Sequence, residues 1–409
     1  MLWHIRHTCP QCGAPVELEE SSRLFQCPFC RVRLLLLAKG PFRYVIPPRN
    51  PDREGVVFVP YWRFKGTIFS CLPYFVSHKL MDATTVALKD SEYPFSLGIR
   101  PQTQMLAFAY TFPQARFLRA EVPMEEGVKG MVRRIEVLEK SSGQRCYHKT
   151  FVGEQKSIIY APFYTDQGKI FDGVLERPLK DRAGSEEEGM TLEEPRTWNV
   201  SYLPSLCPAC GWDLHGRLES VVFVCPHCDS AWHLDEDRLK QTKLVLTTGE
   251  REGICLPFWR FRAESEGLNL KSFGDLARMA NLPKVVQPQW EDEALYLWTP
   301  AFKIRPDLFL RLAGQLTLAQ IKCQPYAERP QELFAAGLSA AEAFQSLKIV
   351  LADLGAGKRN FFPKLAGSSI RVVDLDLAGV FFRREGNELV HSGLNMSLNG
   401  FALEYGRSL

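Results

Sequence analysis

The chain reads CPQCGAPVELEESSRLFQCPFC from Cys9 to Cys30, and later CPACGWDLHGRLESVVFVCPHC from Cys207 to Cys228. Both stretches have the form C-x2-C-x14-C-x2-C. Two residues between cysteines let a tight turn aim both sulfurs at one ion. Two such knuckles complete a tetrahedron of thiolates, the shell Zn(II) takes at about 2.3 Å. Glycine follows the first pair in each copy (Gly13, Gly211), where a positive φ costs little. Proline follows each third cysteine (Pro28, Pro226), removing an amide donor and stiffening the turn. The intervening RLFQC and VVFVC read as strands leading into the second knuckle.

These units resemble the zinc-ribbon (rubredoxin-knuckle) family over the length of each quoted stretch. The resemblance implies two structural Zn2+ ions, one held by Cys9, Cys12, Cys27 and Cys30, the other by Cys207, Cys210, Cys225 and Cys228. Four thiolates close the shell and leave no position for water or substrate, which argues against Lewis-acid catalysis. Iron in the same shell and redox-active C-x-x-C pairs stay open as alternatives, although a thioredoxin-type dithiol needs a βαβ context. Zinc ribbons serve in transcription, replication and translation machinery and also as plain structural modules. The resemblance therefore implies a metal and leaves the task undetermined.

The similarity between the two copies extends past the cysteines. EGVVFVPYWRFKG (Glu54–Gly66) matches EGICLPFWRFRAE (Glu252–Glu264), sharing proline, an aromatic, tryptophan, arginine, phenylalanine and a cation. Weaker matches follow in the same order: GIRPQ (Gly98–Gln102) with KIRPD (Lys303–Asp307), then IIYAPFYTDQGKIF with LAGVFFRREGNELV. The expected organisation is an internal duplication. Residues 1–40 form ribbon 1, 41–178 a β-rich domain, 179–200 an acidic linker, 201–240 ribbon 2 and 241–409 a second β-rich domain. The linker reading rests on LKDRAGSEEEGMTLEEP, which is acidic and poor in apolar residues.

Within each half the segments after the ribbon carry β-branched and aromatic residues with turn punctuation. Helices are fewer. SAAEAFQSLKIVLADLG has a capping box in Ser339 and Glu342 and a stop at Gly355; RPDLFLRLAGQL begins with Pro306; a third helix is expected near Glu125–Gly143. The fold class is α+β, with mainly antiparallel sheets carrying a few helices.

Composition sets wide bounds. A chain of 409 residues exceeds the roughly 250–300 at which one core stops growing. The net charge of +3 demands no polyanionic partner. No run is long and apolar enough to span a bilayer, and the N-terminus shows no signal-peptide pattern. With eight of twelve cysteines in C-x-x-C pairs, metal is favoured over disulfides, and the expected compartment is the cytoplasm. Cys71, Cys146, Cys255 and Cys323 read as reduced core thiols.

Function is less legible. LGAGKRN (Leu354–Asn360) lacks the first glycine and the Ser/Thr of a phosphate loop. The eight histidines form no metalloprotease pattern, and neither G-x-S-x-G nor G-x-G-x-x-G occurs. In the tryptophan strands, alternation puts Tyr61, Arg63 and Lys65, and likewise Phe258, Arg260 and Arg262, on one face. These six residues are the candidate partner surface. The leading reading is a non-enzymatic interaction or scaffold protein with a protein partner. Single-stranded nucleic-acid binding through the same basic and aromatic residues is the alternative. An enzyme with its site between the halves is the second alternative.

Overall fold

The computed structural model describes residues 4–405 apart from 90–91, 99–100, 102–103, 140–144, 184–190, 195–197, 199, 236–237, 249–250 and 327–329. Strand makes up 43% and helix 21%, so sheets carry the architecture and helices cover them. Two large mixed sheets are accompanied by two small three-stranded ones.

The two tryptophan strands, Val57–Leu72 and Ile254–Glu264, each run through the middle of a large sheet. Each pairs antiparallel on one side with a late strand, His148–Asp166 or Arg371–Glu385. On the other side each pairs antiparallel with the next strand in sequence, Phe75–Val86 or Tyr296–Pro300. The start of each also meets a short parallel strand, Arg116–Leu118 or Glu332–Leu333. Trp62 stands opposite Ile158 and Thr85; Trp259 stands opposite Leu377 and Thr299. Beyond the late strand, Phe42–Val45 and Leu244–Thr247 add in parallel at matching register.

Apolar residues on both faces explain why these strands are central. Tyr61 and its neighbours pack against ribbon 1, in one cluster with Ile5, Cys9, Phe25 and Leu34. Trp62 and Phe64 face the helix Met124–Glu139, where a Cβ on Gly127 would sit 3.1 Å from the Trp62 ring. Each indole N–H is anchored two residues ahead of a helix. Trp62 donates to the Val122 carbonyl at 2.7 Å, and Trp259 donates to the Leu338 carbonyl at 2.8 Å. Burying an indole without such an acceptor would cost about 1–3 kcal/mol, so each bond ties its strand to the segment just ahead of a helix.

The helix signals hold at the level of residues. Ser339 and Glu342 form a reciprocal capping box, and Pro306 opens the helix Pro306–Ala319. The Ser339 segment is two helices, Ala340–Gln345 and Leu347–Leu354, meeting at Ser346. Gly355 does end the second, but with φ −63° and not in the left-handed region. Glycine is needed there for room, because a Cβ would meet the Phe361 ring at 2.4 Å. Lys358 caps the same helix end by donating to the Ala352 and Asp353 carbonyls at 3.1 and 2.9 Å, which agrees with the failed phosphate-loop motif.

The ribbons are joined to the sheets and to each other. In ribbon 1 the hairpin His4–Thr8 with Pro15–Glu19 extends the first large sheet, Ile5 lying beside Leu106. The strand Ser201–Pro204, at the start of ribbon 2, adds to the Arg33–Leu37 strand of ribbon 1. The Leu218 carbonyl of ribbon 2 accepts from the amides of Arg23 and Leu24. Leu24 and Leu35 of ribbon 1 share a small core with Leu214 and Phe223 of ribbon 2.

The stretch 179–200, read from composition as a linker, is partly structured. Leu179 to Ala183 complete a strand that begins at Arg177, and Leu192–Glu193 pair with Leu118 and Phe117. Trp198 stacks on Tyr160 at 5.1 Å. The acidic run 184–190, and most of the GIRPQ match, lie outside the described residues.

The halves meet through an apolar contact. Phe69, Cys71 and Val152 belong to the same cluster as Leu347 and Val350, and Tyr147 packs on Phe362. His148 lies at this contact, where burial and then the Lys348 ammonium lower its pKa to about 4. The folded value is below that of the unfolded chain, so the neutral form stabilises the fold above pH 6.5 and this contribution is lost as pH falls toward 4. Urea melts across that window should show falling stability, and His148→Gln should flatten the slope. An unchanged slope would place the titration elsewhere.

Candidate metal centres

Each knuckle is built by the same backbone device. The residue after the second cysteine of every pair has positive φ: Gly13, Arg31, Gly211 and Asp229. That geometry turns the chain back, so the amide of this residue donates to the carbonyl of the first cysteine at 2.8–3.1 Å in all four knuckles. Glycine occupies two of these positions, as the sequence indicates; at the other two, arginine and aspartate accept the left-handed conformation.

The four sulfurs of each set lie within 4.8 Å of one another. The Cys9–Cys30 and Cys12–Cys27 separations are both 3.8 Å; Cys207–Cys228 and Cys210–Cys225 are 3.6 and 3.4 Å. Sulfurs at the corners of a tetrahedron with bonds of about 2.3 Å stand about 3.8 Å apart, so both sets fit one zinc ion each. In each set the first and third cysteines are buried, while the second and fourth are exposed.

The thiols do not titrate alike. Burial raises Cys27, but the backbone amides of Cys30 and Phe29 outweigh it and hold the thiol at about 6. The Val32 amide favours the Cys30 thiolate, yet burial and the neighbouring sulfurs push Cys30 up to about 12. Cys207 and Cys210 show the same split, about 6 and about 12. Crowded thiols that cannot all ionise unaided are the donor set a dication completes. The single cysteines behave differently: burial pushes Cys71 and Cys255 up to about 12 and Cys323 up to about 11, as suits core thiols.

Ribbon 2 has a contact that ribbon 1 lacks. The Ser230 hydroxyl lies 3.0 Å from Cys228 Sγ and 3.3 Å from Cys207 Sγ, and its oxygen accepts the Trp232 indole N–H at 2.8 Å. The matching position in ribbon 1 is Val32. A hydroxyl this close can donate to the sulfurs and orient them. Serine two residues past the fourth cysteine was the available sequence signal. His7, beside ribbon 1, does not turn to the metal set: its Nε2 meets the Tyr202 hydroxyl at 2.6 Å, with the rings stacked. His227 stacks on Trp212.

The candidate partner face requires correction. Tyr61, Arg63 and Phe258 are fully buried, Lys65 and Arg260 are half-buried, and only Arg262 of the six is exposed. Alternation along the strands is as expected, but both faces are covered. Arg63 is enclosed by Glu20 of ribbon 1 and by Asp82, whose carboxylate oxygens accept at 2.9 and 3.0 Å. Burial lowers the Arg63 pKa, and these two carboxylates more than restore it. Arg260 pairs instead with the buried Asp376, next to it in the sheet, and lies over the Tyr296 ring. Strand alternation gave the right residues and the wrong surroundings.

Among the described residues, no helix is long and apolar enough to cross a membrane. Comparison with protein-family models, with curated proteins and with solved structures finds no match to this chain. The class of the sites therefore rests on their geometry: two four-cysteine groups, each able to hold one metal ion, zinc being the ion that fits.

Proposed function

We propose that this chain is a non-enzymatic, cytoplasmic interaction protein in which two zinc-held ribbons, docked on one another, form the platform for a protein partner. The carrying observation is the exposure of large aromatics beside the knuckles. Phe29, between Cys27 and Cys30, is 64% exposed, and Trp212, two residues past Cys210, is 55% exposed. A ribbon pinned by four thiolates holds such side chains in place at little entropic cost, which is what a binding anchor needs. Closed four-thiolate shells support a structural role for the ions.

We also infer that the halves arose by duplication. The support is the shared pairing scheme around Trp62 and Trp259, with a register shift at the same place in both halves, between Lys65 and Gly66 and between Arg262 and Ala263, together with the matching indole anchors. A one-residue slip would turn every side chain to the opposite face, so coincidence of register is a demanding match.

The nucleic-acid alternative loses Tyr61, Arg63 and Phe258 to burial, and the apolar contact between the halves counts against a catalytic cleft there. The test is mass spectrometry of what co-purifies with the native protein, with and without nuclease, alongside the double variant Phe29→Ser, Trp212→Ser. A partner that survives nuclease and is lost in the variant, at unchanged zinc content, is the expected outcome. Partners released by nuclease, or retained by the variant, would defeat the proposal.

A further inference from the structure

A cleft of about 990 Å³ opens on the first half, between the start of ribbon 1, the loop ahead of the first tryptophan strand, and residues 104–116. It is at the upper end of the ~300–1,000 Å³ common for small-molecule sites. Three arginines, Arg6, Arg53 and Arg116, contribute to its wall, and no described aspartate or glutamate does. Pro48, Phe58 and Phe112 give it apolar surface. Glu17 stands across from Arg6 in the strand register but is not part of the wall.

Arg53 adds an independent observation. Its guanidinium lies over the Tyr164 ring at 4.2 Å, and its Nε is buried with no hydrogen-bond partner. Stacking fixes the plane of the guanidinium. Held in that plane at the cleft wall, the guanidinium is a strong donor to an anionic oxygen. We infer that this cleft binds a small organic anion, a carboxylate or phosphate carried on an apolar body, with Arg53 receiving the anionic group and Phe58 and Phe112 the body. The cleft is separate from both four-cysteine sets and from the exposed knuckle aromatics, so it supplies a ligand site that the partner-platform reading does not require.

The test is calorimetry on the whole 409-residue, zinc-loaded chain with paired probes: 2-naphthoate and decanoate against their neutral amides, with inorganic phosphate as a third probe. Each carboxylate is expected to bind at least about tenfold more tightly than its amide. That advantage should vanish in Arg53→Gln and shrink in Arg6→Gln, whose exposed position leaves folding intact if Arg53→Gln does not fold. Equal binding of acid and amide, no binding of either, or an advantage unchanged in both variants overturns the inference. Phosphate alone competing as strongly as the carboxylates would remove the role of the apolar wall and overturn it as well.

Discussion

Replacing Cys27 with serine is expected to unfold far more than a ribbon. Zinc content should fall from two ions to one, and stability should drop by more than about 4 kcal/mol, the range reserved for loss of a metal or a core. The reason lies in what the sulfurs touch. Cys9 and Cys27 are part of the cluster that contains Tyr61, Ile159 and Tyr44, so this four-cysteine set is one wall of the core on that face of the first large sheet. The neighbouring hairpin is the edge of the same sheet. Taken alone, a module as small as a ribbon is expected to melt on chelation while the larger domains keep their structure. The shared core reverses that expectation for ribbon 1. Near-ultraviolet circular dichroism, which reports the packed aromatics around Trp62, should be lost in the same transition as the zinc. Zinc released with the aromatic signal intact would show that the ribbon melts independently. Cys225→Ser is expected to loosen both ribbons, because Cys225 lies in the small core they share, while its neighbours Val222 and Val224 pack into the cluster of the second large sheet.

The second large effect concerns Glu20. Its side chain is 4% exposed and pairs with Arg63, which is fully buried; Ser157 donates to the other carboxylate oxygen at 3.2 Å. Glu20→Ala removes the closest counter-charge and leaves Arg63 with Asp82, which is partly open to solvent. A buried charge deprived of its partner typically costs about 3–5 kcal/mol, and chemical denaturation of the variant should show a loss of that size. The double variant Glu20→Met, Arg63→Met is expected to recover most of it, since replacing a whole buried pair by apolar groups is often neutral. A single variant within about 0.5 kcal/mol of the parent would mean that Arg63 reaches water in solution. Arg260 provides the internal contrast. Its buried counter-charge, Asp376, is in its own sheet, so no change in ribbon 2 should expose it.

The same pair shows where reading the chain stops. Period-two alternation places Arg63 and Tyr61 on one face of a strand, and the structure keeps them there. Nothing in the alternation reveals that Glu20, from the ribbon before that strand, folds across that face. Local signals of other kinds were legible because their physics is local. The four C-x-x-C turns, the Ser339–Glu342 capping box and Pro306 at a helix start each involve residues within one or two turns of backbone. Gly355 was identified as a helix end, but its reason, contact with the Phe361 ring, is a packing fact.

By itself, then, the amino-acid order determined the two thiolate sets, their spacing and the two matching strand segments, because each depends on near neighbours and on the bond geometry of sulfur and backbone. Only the tertiary structure decided that the ribbons share a core, that Ser201–Pro204 of the second half completes a sheet in the first, and that the basic face of the tryptophan strands is interior. Those outcomes depend on which apolar surfaces meet across long stretches of chain. Hydrophobic burial is non-directional and carries no sequence address, so the partners of a face are fixed by the fold and not by the face.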